Sequence, residues 1–355
     1  MKDIILTGDR PTGNLHIGHY VGSIANRIKL QNEFDYDKFY IMIADTQALT
    51  DNAKNTDKVK NNIIQVATDY IAAGIDPNKV CIFLQSMVPQ LSEMTMYFMN
   101  LVSLARLERN PTIKDEIKMR DFGKTIPIGF LNYPISQASD ILAFGTTIVP
   151  VGQDQLPMIE QTREIVHSFN LTYEPSEEIF AMPKALLPEN KACLRLPGTD
   201  GKLKMSKSLG NCIYLCDEAD VIKQKIMSAY TDPSHIKVSD PGQIEGNVVF
   251  TYLDAFCNDE HFAKYLPEYK NLDELKTHYQ KGGLGDVKVK MFLFNVINEL
   301  LTPIREKKKE LMTHVDDIYN MLFENSKKAS IEAQKTLDKM KNAMGLNYKK
   351  LLTNK

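Results

Sequence analysis

Tryptophan is absent from this chain of 355 residues, and so is any long uninterrupted apolar run. A membrane-spanning helix needs about 18 or more consecutive apolar residues, and no window of the sequence approaches that length. The apolar run at residues 4–6 is too short for a secretory signal peptide and leads straight into a turn at Gly8. We therefore expect a cytoplasmic protein with no membrane contact.

Cysteine is scarce, and its number is odd. Five cysteines in a chain of this length suit a reduced compartment better than a disulfide framework. Cys212 and Cys216 are four residues apart, but no matching cysteine or histidine pair lies near them in the sequence. A metal site there is a remote alternative, and we predict no metal held by the protein itself.

A strong excess of one charge is also missing. The chain has 43 basic and 45 acidic residues, for a net charge of −2. This balance does not exclude RNA as a partner, because a neutral protein can bind RNA through a local basic face. Basic clusters do occur, but their simpler interpretation is the solvated side of helices. They comprise residues 305–309 and Lys335, Lys339, Lys341, Lys349 and Lys350.

The first half of the chain alternates short apolar runs with helical patterns. Residues 4–7, 39–44, 81–84 and 147–151 are predicted to be buried strands. Between them, apolar residues from Val59 to Tyr70 mark one face of a helix that ends near Gly74. Strands alternating with helices predict an α/β fold with a parallel sheet. Ligands of such sheets bind at the carboxyl ends of the strands.

The second half has a different pattern. After about residue 213, apolar runs typical of strands become rare and patterns typical of helices predominate. The chain is long enough for two domains. We therefore expect a helical second domain over about 213–310, followed by a long final helix over about 313–344 that packs back on the first domain.

The segment 7–19, Thr-Gly-Asp-Arg-Pro-Thr-Gly-Asn-Leu-His-Ile-Gly-His, follows the first predicted strand. Its glycines allow tight turns and close approach of a ligand to the backbone. A helix beginning near Gly18 would present free N–H groups and a positive dipole end, which favour phosphate. His16 and His19 are three residues apart, so they lie on one side and can donate hydrogen bonds to phosphate oxygens. The alternatives are a metal pair, which has no evident third ligand nearby, and two solvent-facing histidines.

A second motif, Lys-Met-Ser-Lys-Ser, occupies residues 204–208 and is flanked by Gly201 and Gly210. Two lysines on a loop of small residues suit a mobile clamp on a polyphosphate. Alone, this loop would more simply be a solvated turn. Its combination with the first motif favours the cleavage of a nucleotide.

Together the two motifs resemble the hallmark pair of the class I aminoacyl-tRNA synthetases. Further segments resemble the bacterial tryptophanyl members of that family, in the same order along nearly the whole chain. These segments are residues 7–19, 74–77, 132–134, 138–142, 149–155 and 343–346.

The resemblance implies a reaction and a set of partners. L-tryptophan is activated by ATP through a tryptophanyl-adenylate intermediate and is then joined to its cognate tRNA, with release of AMP and pyrophosphate. A homodimer is implied, as is Mg²⁺ carried mainly by the ATP phosphates. The implied domains are a Rossmann-type catalytic domain over 1–212 with both motifs, a helical anticodon-binding domain over 213–310, and a C-terminal helix within 311–355 packed on the catalytic domain.

The resemblance also implies three groups of site residues. The group acting on the phosphates during catalysis comprises His16, His19, Lys114, Lys204 and Lys207. ATP binding is expected from Arg10, Pro11, Thr12, Gly18, His19, Gly152, Gln153, Asp154, Leu194, Lys204, Met205, Ser206, Lys207 and Ser208. Tryptophan binding is expected from Asp140, as acceptor of the indole N–H, and from Tyr133, Gln137, Gln47, Leu6 and Gly8.

The chain departs from that family at two positions, and three other functions compete. Gln47 and Gln137 stand where many bacterial members have histidine and methionine, so the polar details of the pocket differ. A tyrosyl enzyme usually has a glycine-rich stretch after its second strand, whereas residues 43–50 here resemble the tryptophanyl group. A nucleotidylyltransferase would not need a helical domain after the second motif. A non-catalytic RNA-binding paralogue is disfavoured because the chain retains His16, His19, Lys204, Lys207 and Asp140.

Overall fold

The computed structural model describes residues 2–120, 125–187, 196–202 and 205–348. Its strands within these ranges are β1 (Asp3–Asp9), β2 (Tyr36–Ile43), β3 (Cys81–Leu84), β4 (Ile148–Pro150) and β5 (Lys184–Leu186). They form one parallel sheet in the order β3-β2-β1-β4-β5. The predicted α/β class with a parallel sheet is confirmed.

The strand order of the sheet changes direction at β1. β1 pairs with β2 from Asp3 to Asp9 and with β4 at Ile5. The next strand in sequence after β1 lies on one side and β4 lies on the other, so a crevice opens at the carboxyl end of β1. The first sequence motif begins at this end.

Helices cover both faces of the sheet and, with the turns and loops that connect them, make up the remainder of the described chain. Those before β4 are α1 (Ile17–His19), α2 (Ala25–Glu33), α3 (Asp45–Asn52), α4 (Thr56–Ala73), α5 (Gln90–Met99), α6 (Leu104–Arg109), α7 (Pro111–Arg120) and α8 (Ile128–Leu142). Those after it are α9 (Leu156–Tyr173), α10 (Ala219–Met227), α11 (Val248–Phe256), α12 (Asp259–Tyr265), α13 (Leu272–Lys281), α14 (Asp286–Leu311) and α15 (Val315–Ala343).

The predicted strands agree with β1 to β4 to within three residues at each end. β5 was not predicted, because a three-residue strand with an exposed lysine at its start carries no clear apolar pattern. α4 buries Val59, Val66 and Tyr70 as the periodicity predicts, whereas Ile63, which the same pattern places on this face, is only half-buried. It ends at Gly74, whose φ of +118° is strained for any residue with a side chain.

The helices after β5 contact both the sheet and the helices that cover it. α15 lies against β3, where the Ser326 hydroxyl accepts a hydrogen bond from the N–H of Leu84 at 3.0 Å. α14 lies against α4, where Lys308 and Asp69 form a buried ion pair at 2.6 Å. Among the described helices, none is long and apolar enough to span a membrane.

The basic cluster at 305–309 is not a single solvated face. Arg305 and Lys308 are buried, and the Arg305 guanidinium donates to the carbonyl oxygen of Asp217 at 2.8 Å. Lys307 and Lys309 are exposed. The charge pattern alone could not distinguish the two pairs, since burial of Lys308 depends on the distant Asp69.

Candidate functional site

A cleft of about 320 Å³ lies at the carboxyl ends of β1 and β4. β1 reaches it through Gly8, which packs so closely on β2 that an added Cβ would lie 2.5 Å from the Met42 carbonyl oxygen. Eight residues assigned from the sequence line this cleft. They are Leu6, Gly8, Arg10, Gln47, Tyr133, Gln137, Asp140 and Gly152.

Asp140 lies deep in the cleft wall on α8 and is only 1% exposed. Its two oxygens accept hydrogen bonds from the side-chain amide of Gln85 at 2.9 Å each, and Oδ2 also accepts one from Gln47 Nε2 at 3.0 Å. Burial raises the pKa of Asp140 to about 7, although the Gln85 hydrogen bond opposes the shift. A buried acceptor held by neutral amides suits a ligand that donates one hydrogen bond from an otherwise apolar ring.

Two further glutamines, Gln137 and Gln155, also line the cleft. Gln137, one turn earlier on α8, donates to the side-chain oxygen of Gln155 at 3.2 Å. Gln155 lines the cleft but was not among the assigned residues, although it ends the segment 149–155 that carries part of the family resemblance.

A charged network that the sequence did not reveal lies at the end of β1. Asp9 pairs with the buried guanidinium of Arg27 at 2.7 Å and accepts a hydrogen bond from the hydroxyl of Tyr70. Burial acts to raise the pKa of Asp9, but the charges of Arg27 and His19 outweigh it and lower the pKa to about 2. Both Asp9 and Arg27 line the cleft, so the lining includes a carboxylate and a cation that are paired with each other.

The His-Ile-Gly-His segment forms the start of α1, as predicted from its position after β1. The rings of His16 and His19 are 3.8 Å apart between centroids. His19 Nδ1 accepts a hydrogen bond from the backbone N–H of His16 at 3.2 Å. Gly18 leaves space between them, because an added Cβ would lie 3.0 Å from the His16 ring. The two imidazoles therefore form one group, as their three-residue spacing predicts.

The second motif lies directly beside the first. Met205 is buried with its sulfur near Gly18, and the Ser206 N–H donates to the side chain of Asn211 at 2.8 Å. Lys207 Nζ donates to the carbonyl oxygen of Gly13 at 2.6 Å. Burial lowers the pKa of Lys207 to about 8, although Asp9 opposes this. Two segments almost 200 residues apart thus lie in direct contact.

The loop that carries the histidines is held from both sides. The Leu15 carbonyl oxygen accepts a hydrogen bond from the N–H of Leu215, and the Ile17 N–H donates to the Ile213 carbonyl oxygen, both at 3.0 Å. On the other side, the Leu15 N–H donates to Asp69 at 2.9 Å, the same carboxylate that pairs with Lys308. α14 thereby contributes to the position of the first motif.

Other residues assigned from the sequence are not part of the contact between the two motifs. Lys114 is exposed on α7 and is not among the residues lining the cleft, whereas Glu116 on the same helix is. Asp154 follows Gly152 in the loop after β4, and its carbonyl oxygen accepts from the hydroxyl of Thr112 at 2.9 Å. Pro11, Thr12 and Gln153 occupy the loops that flank the cleft. Leu194 and Lys204 lie outside the described residues, as does the side chain of Ser208.

Comparison with known proteins gives one consistent family. The family model described as class I tRNA synthetases (W and Y) matches residues 2–302. A tryptophan–tRNA ligase of Clostridium longisporum is 59% identical over 347 residues, which cover 98% of each chain. A tryptophan–tRNA ligase of Lactococcus lactis is 56% identical, over 98% of this chain and 99% of that protein.

A solved structure shows the same similarity in three dimensions. The tryptophanyl-tRNA synthetase of Campylobacter jejuni, crystallised with ADP and tryptophan, has a TM-score of 0.80 to this chain at 31% identity. The alignment covers 97% of this chain and 100% of that one.

Proposed function

The chain belongs to the class I tRNA synthetase family of the tryptophan and tyrosine enzymes, and from that premise we propose how its cleft works. Its activity is tryptophan–tRNA ligation, in which L-tryptophan is joined to tRNA with ATP as the source of energy. The tryptophan carboxylate attacks the α-phosphorus of ATP, pyrophosphate leaves, and the adenylate then esterifies a terminal ribose hydroxyl of the tRNA. Such transfer depends on positioning and on charge stabilisation.

The observation that carries the site assignment is the polarity of the cleft. One end of the site contains the buried acceptor Asp140 of the cleft lining, and the other lies beside Asp9 of that lining, where His16, His19 and Lys207 come together. We assign the first end to the indole and the second to the ATP phosphates. Hydrogen bonds from the imidazoles and the ammonium stabilise charge that grows on the phosphates as pyrophosphate leaves.

The remaining assigned residues are placed around these two ends. Arg10, Pro11, Thr12 and the 152–154 loop would bind ATP from the sheet edge, and Leu194 would lie against its adenine. Lys204 would join Lys207 on the pyrophosphate, with Lys114 approaching from the opposite side. Tyr133, Gln137, Gln47, Leu6 and Gly8 would enclose the amino acid.

Magnesium would arrive on ATP rather than on the protein. The groups that converge at the phosphate end are imidazoles and an ammonium, and the nearby Asp9 is already paired with Arg27. Such a set would leave Mg²⁺ to be held by the phosphates of ATP. When bound, Mg²⁺ neutralises phosphate charge, while the side chains orient the α-phosphorus.

The domains, assembly and compartment follow the family. We propose a catalytic domain over 1–212, an anticodon-binding domain over 213–310 and a supporting C-terminal helix in 311–355. Exposed apolar side chains on α5, α6 and α8, namely Met96, Leu104 and Ile128, support a homodimer interface on helices that pack together. The protein would act in the cytoplasm, where tRNA is charged.

The test of this function is amino-acid-dependent ATP–pyrophosphate exchange with each of the twenty amino acids. Tryptophan should support exchange, and tyrosine and phenylalanine should support far less. Exchange that depends equally on tyrosine, or on no amino acid, would overturn the assignment of Asp140 as the indole acceptor.

A further inference from the structure

We propose that Gln85 is a positioning residue for amino-acid specificity, because its amide, braced by the backbone of Gln47, aims one oxygen of Asp140 at the indole N–H. This inference rests on the proposed function, since it concerns how the indole acceptor is held. Gln85 lies 55 positions before Asp140 in the sequence and belongs to none of the assigned groups.

The orientation of the Gln85 amide follows from its two neighbours. Gln85 is 4% exposed and sits in the turn that follows β3. Its Oε1 accepts the backbone N–H of Gln47 at 3.0 Å. A backbone N–H can only donate, so the oxygen of the amide must face it and the nitrogen must face Asp140. The backbone of Gln47 thus determines that Gln85 presents donors to the carboxylate.

The hydrogen bonds at Asp140 are distributed unevenly between its two oxygens. Among the described residues, Oδ2 accepts from both Gln85 and Gln47, whereas Oδ1 accepts from Gln85 only. Each carboxylate oxygen has about two acceptor positions. Oδ1 therefore retains the position that an incoming N–H would use, and Gln85 sets its direction.

The donors to Asp140 are neutral, which distinguishes this carboxylate from Asp69. Asp69 is equally buried but is paired with the ammonium of Lys308. A cation compensates more of the charge of a buried carboxylate than neutral amides do, whereas amides orient the carboxylate and leave more of its charge uncompensated. A ligand donor then gains a strong hydrogen bond on entry, and a ligand without that donor leaves the acceptor unsatisfied.

The experiment compares tryptophan with L-β-(3-benzothienyl)alanine, in which sulfur replaces the indole N–H. Exchange kinetics would be measured for the wild type and for Gln85→Met, which keeps the length of the side chain and removes the amide. We expect the KM for tryptophan to rise roughly 10- to 100-fold, with kcat and the KM for ATP changing only a few fold. The preference for tryptophan over the sulfur analogue should fall by a similar factor.

Gln31→Met is the matched control. Gln31 is also a buried glutamine, and its amide is satisfied by the carbonyl oxygen of Gly74 and the N–H of Asp76, away from the cleft. Its replacement should lower stability without changing the preference for tryptophan over the analogue. A loss of preference in both variants would overturn the positioning role, because a general loss of packing would then explain it.

Asp140→Ala provides the second check. If Gln85 acts through Asp140, adding Gln85→Met to Asp140→Ala should change the preference little further. Should Gln85→Met fail to fold, Gln85→Glu keeps the shape and places an oxygen in the position of Nε2, and the same loss of preference is expected. An unchanged preference in a folded Gln85 variant overturns this inference alone. Absence of tryptophan-dependent exchange in the wild type would instead overturn the proposed function.

Discussion

The two ends of the proposed site differ in how far their side chains are already positioned in the folded protein. At the indole end, Asp140 is already held by three hydrogen bonds from two glutamine side chains. At the phosphate end, Lys207 donates to the carbonyl oxygen of Gly13, a backbone atom of the protein itself. In the proposed reaction, the lysine exchanges that partner for a phosphate oxygen. In the proposed function, the group that selects the amino acid is therefore already positioned in the folded protein, whereas the group that acts on the phosphates changes its partner.

The two buried carboxylates Asp69 and Asp140 differ in a related way. Asp69 pairs with Lys308 and holds the backbone of Leu15, and it has no place in the cleft lining formed by the described residues. Asp140 lines the cleft and is held by amides. The partner of each carboxylate indicates its role, since the ion pair supports structure whereas the amide-held group is ready for a ligand.

The largest expected effect is on stability, from Lys308→Met. Burial raises the pKa of Asp69, and the charge of Lys308 opposes the shift. Removing the ammonium leaves an uncompensated buried carboxylate, which typically costs about 3–5 kcal/mol. Urea unfolding should show this loss, and Asp69→Asn combined with Lys308→Met should recover much of it. A single variant as stable as the wild type would show that the pair does not support α4 and α14.

The next effect is on rate, from Lys207→Ala. If the ammonium stabilises charge that develops in the transition state, its loss should cost about 2.7–4 kcal/mol. The loss should appear mainly in kcat, with a much smaller change in the KM for ATP. A variant that raises KM and keeps kcat would place Lys207 in ground-state binding instead.

A somewhat smaller effect is expected on specificity, from Asp140→Ala. The indole N–H would lose a hydrogen bond to a charged group, worth about 1.5–3 kcal/mol. The kcat/KM for tryptophan should fall accordingly, and the selectivity over tyrosine and phenylalanine should collapse. A variant that keeps both would mean that another residue, such as Gln137, recognises the indole.

The last effect is a pH dependence with opposite signs for binding and stability. The pKa of Asp140 rises on folding from 3.8 to about 7, so the folded protein holds this proton more tightly than the unfolded chain. Its contribution to the free energy of unfolding should therefore fall as pH rises from about 4 to about 7, and then level off. The kcat/KM for tryptophan should instead rise about tenfold per pH unit below about 7 and stay flat above it. Asp140→Asn should remove this step, and a profile that keeps it would assign the step to another group.

The sequence predicts those parts of the molecule that depend on neighbouring residues. Strand and helix periodicity places β1 to β4 and the buried face of α4. The pairing of His16 with His19 follows from their three-residue spacing. The meeting of Lys207 with the first motif was expected only through the family resemblance, because it joins residues 194 positions apart.

What the sequence does not reveal depends on distant partners. Gln85 and Asp140 are 55 positions apart, and Lys308 and Asp69 are 239 positions apart. A glutamine after a strand or a lysine in a basic run has no local pattern that distinguishes a buried, paired side chain from an exposed one. The roles of these groups depend on their burial, and they become buried only when the helices pack.

The most direct test of the central claim uses the absence of tryptophan from the chain. Fluorescence excited at the red edge then reports the substrate alone, with tyrosine nearly silent. Titrating wild-type enzyme into tryptophan should change the emission saturably, and Asp140→Ala should weaken that binding about 10- to 100-fold. Equal affinities for the two proteins would contradict the account, because the indole would then bind without the acceptor that the fold buries for it.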